Sequence, residues 1–151
     1  MKENIENNLT VNYLEAQEND VKEIMNILKL LNGDRSDFDI NKFIIAKYGD
    51  KIIGCIRSKG ATDEYLELSS LAVLPEYQNN GVGRQLIEKI LLKEKKRPIY
   101  FLTSSDKEDF YKKFGAKIIE IETLPPSLQE EYSNIIKLPF TKDLKVIAMG
   151  F

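Results

Sequence analysis

The sequence contains no histidine, no tryptophan, a single cysteine, and no preponderance of charge of either sign. Without histidine, Ser-His-Asp and Cys-His nucleophilic catalysis are excluded, as are histidine-based metal sites. The lone Cys55 leaves no internal disulfide and no thiolate cluster for zinc. It stands between Gly54 and Ile56 in an apolar strand pattern, which suits a buried structural thiol better than a nucleophile. The 22 basic residues nearly balance the 24 acidic ones, for a net charge of −2, so no global field draws nucleic acid or an anionic membrane. No apolar run approaches the roughly 20 residues of a membrane span, and the start of the chain is polar. The expectation is a cytoplasmic protein without nucleic-acid or membrane partners.

What is present describes an ordinary soluble globule. The chain has 151 residues, 42% hydrophobic and 30% charged, enough for one domain over residues 1–151 with its own core. Residues 1–8 form a polar lead, and residues 9–14 alternate as a first strand should. Val21, Ile24, Met25, Leu28 and Leu31 recur at helical spacing until Asn32-Gly33, with Asp20 and Glu23 at capping-box separation. A short polar segment, 34–41, leads to a strand, a Gly49-Asp50 turn and a second strand, read as a hairpin whose last residue, Arg57, is a solvated strand end. Residues 65–74 form the next strand, which Pro75 closes because proline has no N–H to donate. Val82, Leu86, Ile90 and Leu91 mark a helix face, and the cluster Lys93-Glu94-Lys95-Lys96-Arg97 reads as its solvated, cationic end. Residues 99–103 are a buried strand. A brief helix capped by Ser105 or Asp106 follows, closed by Gly115. Strand candidates at 116–121 and 146–149 flank a Pro125-Pro126 turn and a helical turn.

The most informative stretch joins the strand at 65–74 to the helix after it, through Gln78-Asn79-Asn80-Gly81-Val82-Gly83-Arg84. A strand, a glycine-bearing turn and a helix together present backbone N–H groups and the positive end of a helix dipole to an anion. Gly81 and Gly83 keep Cβ atoms away from such a ligand. No Lys-Ser/Thr pair follows, so the phosphate loop of ATPases does not fit, and the three-glycine dinucleotide fingerprint is missing too. On these residues alone, an ordinary strand-to-helix turn stays open.

With the flanking Leu71-Ala72-Val73-Leu74-Pro75, the Gln-x-x-Gly-x-Gly turn resembles the pyrophosphate loop of the GNAT N-acetyltransferase family. The order of elements along nearly the whole chain is similar to that family as well. The resemblance implies a mixed α+β fold, a mostly antiparallel central sheet with helices on both faces, and acetyl-CoA as acetyl donor with no metal. It also implies that Gln78, Asn79, Asn80, Gly81, Val82, Gly83 and Arg84 hold the pyrophosphate, while main-chain groups of Leu71, Ala72 and Val73 meet the pantetheine arm.

Amine acetylation needs a group to take a proton from an ammonium and a donor for the departing thiolate. By the same resemblance Glu67, on the central strand, is the candidate general base; a Glu on an exposed strand face is the alternative. Tyr111, in Phe110-Tyr111-Lys112-Lys113-Phe114-Gly115, is the candidate general acid and cofactor contact; a tyrosine packing on the core with Phe114 is its alternative. Ser104 falls where relatives often carry a cofactor-contacting Asn. The tail is similar to the short amino-acid N-acetyltransferase branch, in which an Arg is common where Ser69 stands; if that Arg holds an acceptor carboxylate, another cation such as Arg57 takes its place here or the acceptor differs, and a solvated strand end is the alternative for Arg57. The expected acceptor is the primary amine of a small molecule, with a protein amine, or a non-catalytic acyl-CoA sensor, as the alternatives. The edges of the late strands are candidates for pairing in a homodimer.

Overall fold

A computed structural model describes residues 10–60 and 64–151, so the polar lead and Leu9 lie outside the described residues. The chain divides into two compact units, one of residues 1–60 and 68–95, the other of 61–67 and 96–151.

The first unit is built around continuous apolar runs. Strand β1 (Val11–Glu15) pairs antiparallel with β2 (Phe43–Tyr48), and β2 pairs antiparallel with β3 (Lys51–Lys59) through the turn in which Gly49 takes a φ of 62°. The order is β1-β2-β3-β4, where β4 is Leu66–Val73. β3 is buried from Ile52 to Lys59, on both faces, and both α1 (Val21–Leu30) and α2 (Val82–Lys93) pack on it. Each helix buries one stripe, Ile24, Ile27 and Leu28 from α1 and Val82, Leu86, Ile87 and Ile90 from α2. Each such side chain contributes about 1.5–3 kcal/mol. Gly54 is required at the centre of β3, because a Cβ there would stand 2.9 Å from the Ala72 carbonyl oxygen of β4 and 3.2 Å from Leu86 Cδ1 of α2.

The capping box expected at Asp20 and Glu23 does not form. Asp20 instead accepts the Gln17 N–H at 2.8 Å, one turn earlier, and Glu23 accepts the Ile52 N–H at 2.6 Å, tying α1 to β3. Asp20 is thus used in a capping box with Gln17 on the preceding 3-10 turn, and only Glu23 is taken by a tertiary partner.

The second unit has the order β4-β5-β7-β6. β5 (Ile99–Ser104) runs parallel to β4 where Leu66 and Glu67 meet Ile99 and Tyr100, and antiparallel to β7 (Val146–Gly150), which also pairs with the short β6 (Lys117–Ile119). The brief helix α3 (Glu108–Lys112) ends where Gly115 turns left-handed at φ 92°. Lys107, rather than Ser105 or Asp106, occupies its N-cap position. The Pro-Pro segment opens a ten-residue helix, α4 (Pro126–Ile135), longer than the single turn expected, with Pro126 at the start, where its missing N–H costs no hydrogen bond. Tyr65, Leu124, Leu128 and Ala148 form this unit's core. Among the described residues seven strands pair in the mixed pattern expected of the α+β fold.

Candidate active site

In the first unit the turn after β4 takes two left-handed steps before it opens α2. Pro75–Tyr77 makes a single 3-10 turn, and Gln78 then folds back so that its Nε2 donates to the Val73 carbonyl at 2.9 Å. Asn80 Nδ2 donates to the carbonyls of Tyr77 at 3.2 Å and Gln78 at 3.1 Å. These side-chain bonds hold the loop while its backbone takes two left-handed steps, Asn79 at φ 65° and Gly81 at φ 81°. Gly81 is the N-cap of α2 and its carbonyl accepts the Gln85 N–H at 3.0 Å. Val82, Gly83 and Arg84 therefore form the first turn, whose N–H groups have no acceptor within the helix and point out along its positive end.

Immediately before this turn β4 is irregular. Ser70 takes a φ of 60°, a left-handed step inside a strand, and is buried. The side chains of Ser69 and Ser70, which a regular strand would send to opposite faces, both reach Asp34. Ser69 Oγ donates to Asp34 Oδ2 at 3.0 Å and Ser70 Oγ donates to the Asp34 carbonyl at 2.7 Å. Leu71, Ala72 and Val73, the expected pantetheine contacts, follow directly, and Leu74 N–H closes the strand on the Ile53 carbonyl at 2.8 Å.

Arg57 is not the solvated strand end expected from the sequence. It is 1% exposed, with its Nε donating to Ser70 Oγ at 2.8 Å and its terminal nitrogens to the carbonyls of Asp37 and Asp34, each at 3.3 Å. Its guanidinium also pairs with Asp34 Oδ2 at 3.3 Å and lies 5.4 Å from the centre of the Phe43 ring. The same Oδ2 takes Lys59 Nζ at 2.7 Å, and Oδ1 takes the Ser36 N–H and hydroxyl. Burial alone would raise the Asp34 pKa, but the bonds from Lys59 and Ser36 outweigh it together, and the carboxyl is held well below the usual range. With its donors committed, Arg57 has no fork left to offer a substrate carboxylate. Asp34 itself drew no notice in the sequence, being one acidic residue in a polar connector.

Cys55 is buried beneath this cluster, its thiol 3.4 Å from the Ser70 carbonyl, and burial pushes its pKa up to about 12 despite the opposing effect of Arg57. At neutral pH it is a thiol, not a thiolate, as the sequence implied.

The second unit holds the two residues singled out for proton transfer. Glu67 is 5% exposed, which removes the exposed-face alternative. Its carboxylate and that of Glu131, on α4, lie within 4.8 Å of each other. Glu131 escaped sequence reading because α4 was expected to be a single turn. Tyr111 is also buried, against Phe101 at 4.5 Å and Phe110 at 5.1 Å between ring centres. Its hydroxyl is hydrogen-bonded to the Thr103 side chain of β5, and burial outweighs that bond to push its pKa up to about 12. Ser104, at the end of β5, donates its hydroxyl to Asp106.

An anion-ready turn after a kinked strand, on a mixed seven-stranded α+β sheet, is the arrangement of an acyltransferase fold. A family model described as the acetyltransferase (GNAT) domain matches residues 39–115, just over half of the sequence, and the chain belongs to that family. It is 36% identical over 101 residues to an uncharacterized N-acetyltransferase of Chlorobaculum tepidum, covering 65% of this chain and 64% of that one. It is 28% identical over 110 residues to the amino-acid acetyltransferase of Aeromonas salmonicida, covering 71% of this chain and 25% of that one. The chain thus spans less than two thirds of either relative. N-acetylglutamate synthase of Neisseria gonorrhoeae, solved with coenzyme A and N-acetyl-glutamate, has the same fold, with a TM-score of 0.71 at 18% identity over 92% of this chain and 34% of that one. Among the described residues no helix is long and apolar enough to cross a membrane.

Proposed function

We propose that the protein transfers the acetyl group of acetyl-coenzyme A to the primary amine of a small molecule, with amino acids the first acceptor class to test. The observation that carries this reading is the turn at residues 78–84. Its left-handed steps at Asn79 and Gly81 and the first-turn N–H groups of α2 make a cradle for a diphosphate that needs no cationic side chain. Family membership narrows the diphosphate to that of an acyl-coenzyme A, and the two curated relatives carry acetyltransferase names.

The chemistry follows from few groups. The acceptor ammonium loses a proton to Glu67, directly or through water, and the free amine attacks the thioester carbonyl. Carbon–nitrogen bond formation and carbon–sulfur cleavage then release coenzyme A thiolate, which takes up the second proton that the nitrogen sheds on becoming an amide. Tyr111 stays protonated at any ordinary pH, so its part is to donate a hydrogen bond to the sulfur as charge develops. Cys55, buried and a thiol, supports direct transfer in a ternary complex over an acetyl-enzyme.

The test is calorimetric titration with acetyl-coenzyme A, followed by thiol release against amino acids, polyamines and short peptides. Saturable binding with release on one small-amine class is the expected result. Activity on peptides alone would move the acceptor to a protein amine. Binding without turnover on any amine would make the chain an acyl-coenzyme A sensor, and no binding would end the reading.

A further inference from the structure

We infer that Arg57 and Asp34 are positioning residues for the cofactor, acting as a latch that holds the left-handed kink of β4 at Ser70; the inference rests on the function proposed above. A serine at φ 60° inside a strand is unfavourable, and it persists only where surrounding bonds over-determine it. Here the Ser70 hydroxyl is used twice, accepting from Arg57 Nε at 2.8 Å and donating to the Asp34 carbonyl at 2.7 Å. Asp34 in turn is fixed by Arg57, by Lys59 at 2.7 Å, by Ser69 at 3.0 Å and, at its other oxygen, by Ser36. The guanidinium fork closes the arrangement by reaching the Asp37 carbonyl from β3, so one buried side chain ties β3, the kink and the 34–37 segment together.

The kink decides where β4 goes next. A regular strand would send Ser69 and Ser70 to opposite faces. The left-handed step brings both to Asp34 and so resets the direction in which Leu71, Ala72 and Val73 present their main-chain groups. The carbonyl of Val73 also receives Gln78, the first residue of the phosphate turn, so an error in β4 is passed on to the cradle. The latch therefore acts on cofactor binding at a distance, without touching the cofactor itself.

Glycine makes this testable, because it takes positive φ without the penalty that serine bears. Arg57→Lys keeps the charge but a lysine has no fork to reach Ser70, Asp34 and Asp37 together. The full chain and three variants, Arg57→Lys, Ser70→Ala and Arg57→Lys with Ser70→Gly, are compared by calorimetric titration with coenzyme A and by hydrogen exchange of the Leu74 amide, which bonds to Ile53. The expected result is that Arg57→Lys and Ser70→Ala each weaken coenzyme A about tenfold, the scale of one unsupported left-handed residue, and speed Leu74 exchange. Adding Ser70→Gly to Arg57→Lys restores both. A variant Arg57→Lys that changes neither quantity, a loss of binding with Leu74 exchange unchanged, or a loss that Ser70→Gly does not restore each overturns the latch. Failure of the wild-type chain to bind coenzyme A overturns the proposed function, and the latch then stands or falls on the Leu74 pattern alone.

Discussion

Replacing Tyr111 by Phe removes one oxygen from a packed aromatic site and separates two roles that a tyrosine could play at the thioester sulfur. Burial against Phe101 and Phe110 lifts the hydroxyl to about 12, whereas an ordinary thiol titrates near 8.5. Handing the proton outright to a departing thiolate therefore runs against the raised pKa of the buried hydroxyl, whereas donating a hydrogen bond to it does not. A hydrogen bond donated to the developing charge is worth about 1.5–3 kcal/mol, so Tyr111→Phe should lower kcat by about ten- to a hundredfold, with cofactor affinity nearly intact. Loss of the Thr103 bond should cost a further 0.5–1.5 kcal/mol or so of stability, visible in urea unfolding. The assay is thiol release across pH 6 to 10, alongside coenzyme A titration of both proteins. The wild-type profile should have no alkaline limb that vanishes in the Phe variant. Such a limb near pH 8–9 would refute the reasoning because it requires the tyrosine to titrate near the thiol, and a loss of kcat well beyond a thousandfold would refute it because it exceeds what one hydrogen bond supplies. An unchanged kcat would remove Tyr111 from the chemistry altogether.

Three further outcomes are expected. Asp34→Ala strands Arg57, 1% exposed, without its carboxylate and should destabilise the fold by about 3–5 kcal/mol at neutral pH. Because the Asp34 pKa is depressed in the folded chain, its contribution is complete above the ordinary carboxylate range and is lost as the pH falls through the folded value; the gap between wild type and variant in urea unfolding should close on acidification. Gly54→Ala forces a Cβ to within 2.9 Å of the Ala72 carbonyl and should lower stability by about 1–3 kcal/mol, while Gly60→Ala, with open space around it, should stay within about 0.5 kcal/mol in the same thermal unfolding experiment. Cys55→Ala should retain turnover and yield no acetylated protein by mass spectrometry, and in the folded wild type the thiol should resist alkylation at pH 8.

Legibility from sequence varied with how local each signal was. The helix at 21–30, the hairpin and the Gly81 turn each declare themselves within about ten residues, through apolar spacing, a Gly-Asp pair and a glycine that must turn left-handed. The family resemblance rested on the same local pattern, and the sheet bears it out. Arg57 was misjudged because its position after Ile52-Ile53-Gly54-Cys55-Ile56 looks like the end of a strand, whereas β3 continues through Lys59, buried throughout. A cation directly abutting so apolar a run was the available clue. Ser69-Ser70, two adjacent small polar residues in a strand whose only other polar residue is Glu67, was the corresponding clue to the kink. Asp34 carries no local mark at all. Apart from Ser36, its partners lie 23 to 36 residues away, and only the folded chain brings them to it. Glu131 was hidden by two prolines that open a helix instead of ending one.

The separations along the chain between Asp34 and its partners also bear on the order of folding. The hairpin β2–β3 closes through two residues, but Asp34 can meet Ser70 only after the hairpin and β4 have come together, 36 residues apart. A contact of that range carries a larger loop-closure cost than the hairpin's and is expected to form late, after the rate-limiting step. A substitution at Asp34 should then leave the refolding arm of a chevron nearly unmoved and steepen escape from the native state. The residue would act as a brake on unfolding, deciding how long each folded molecule lasts rather than how fast it is made.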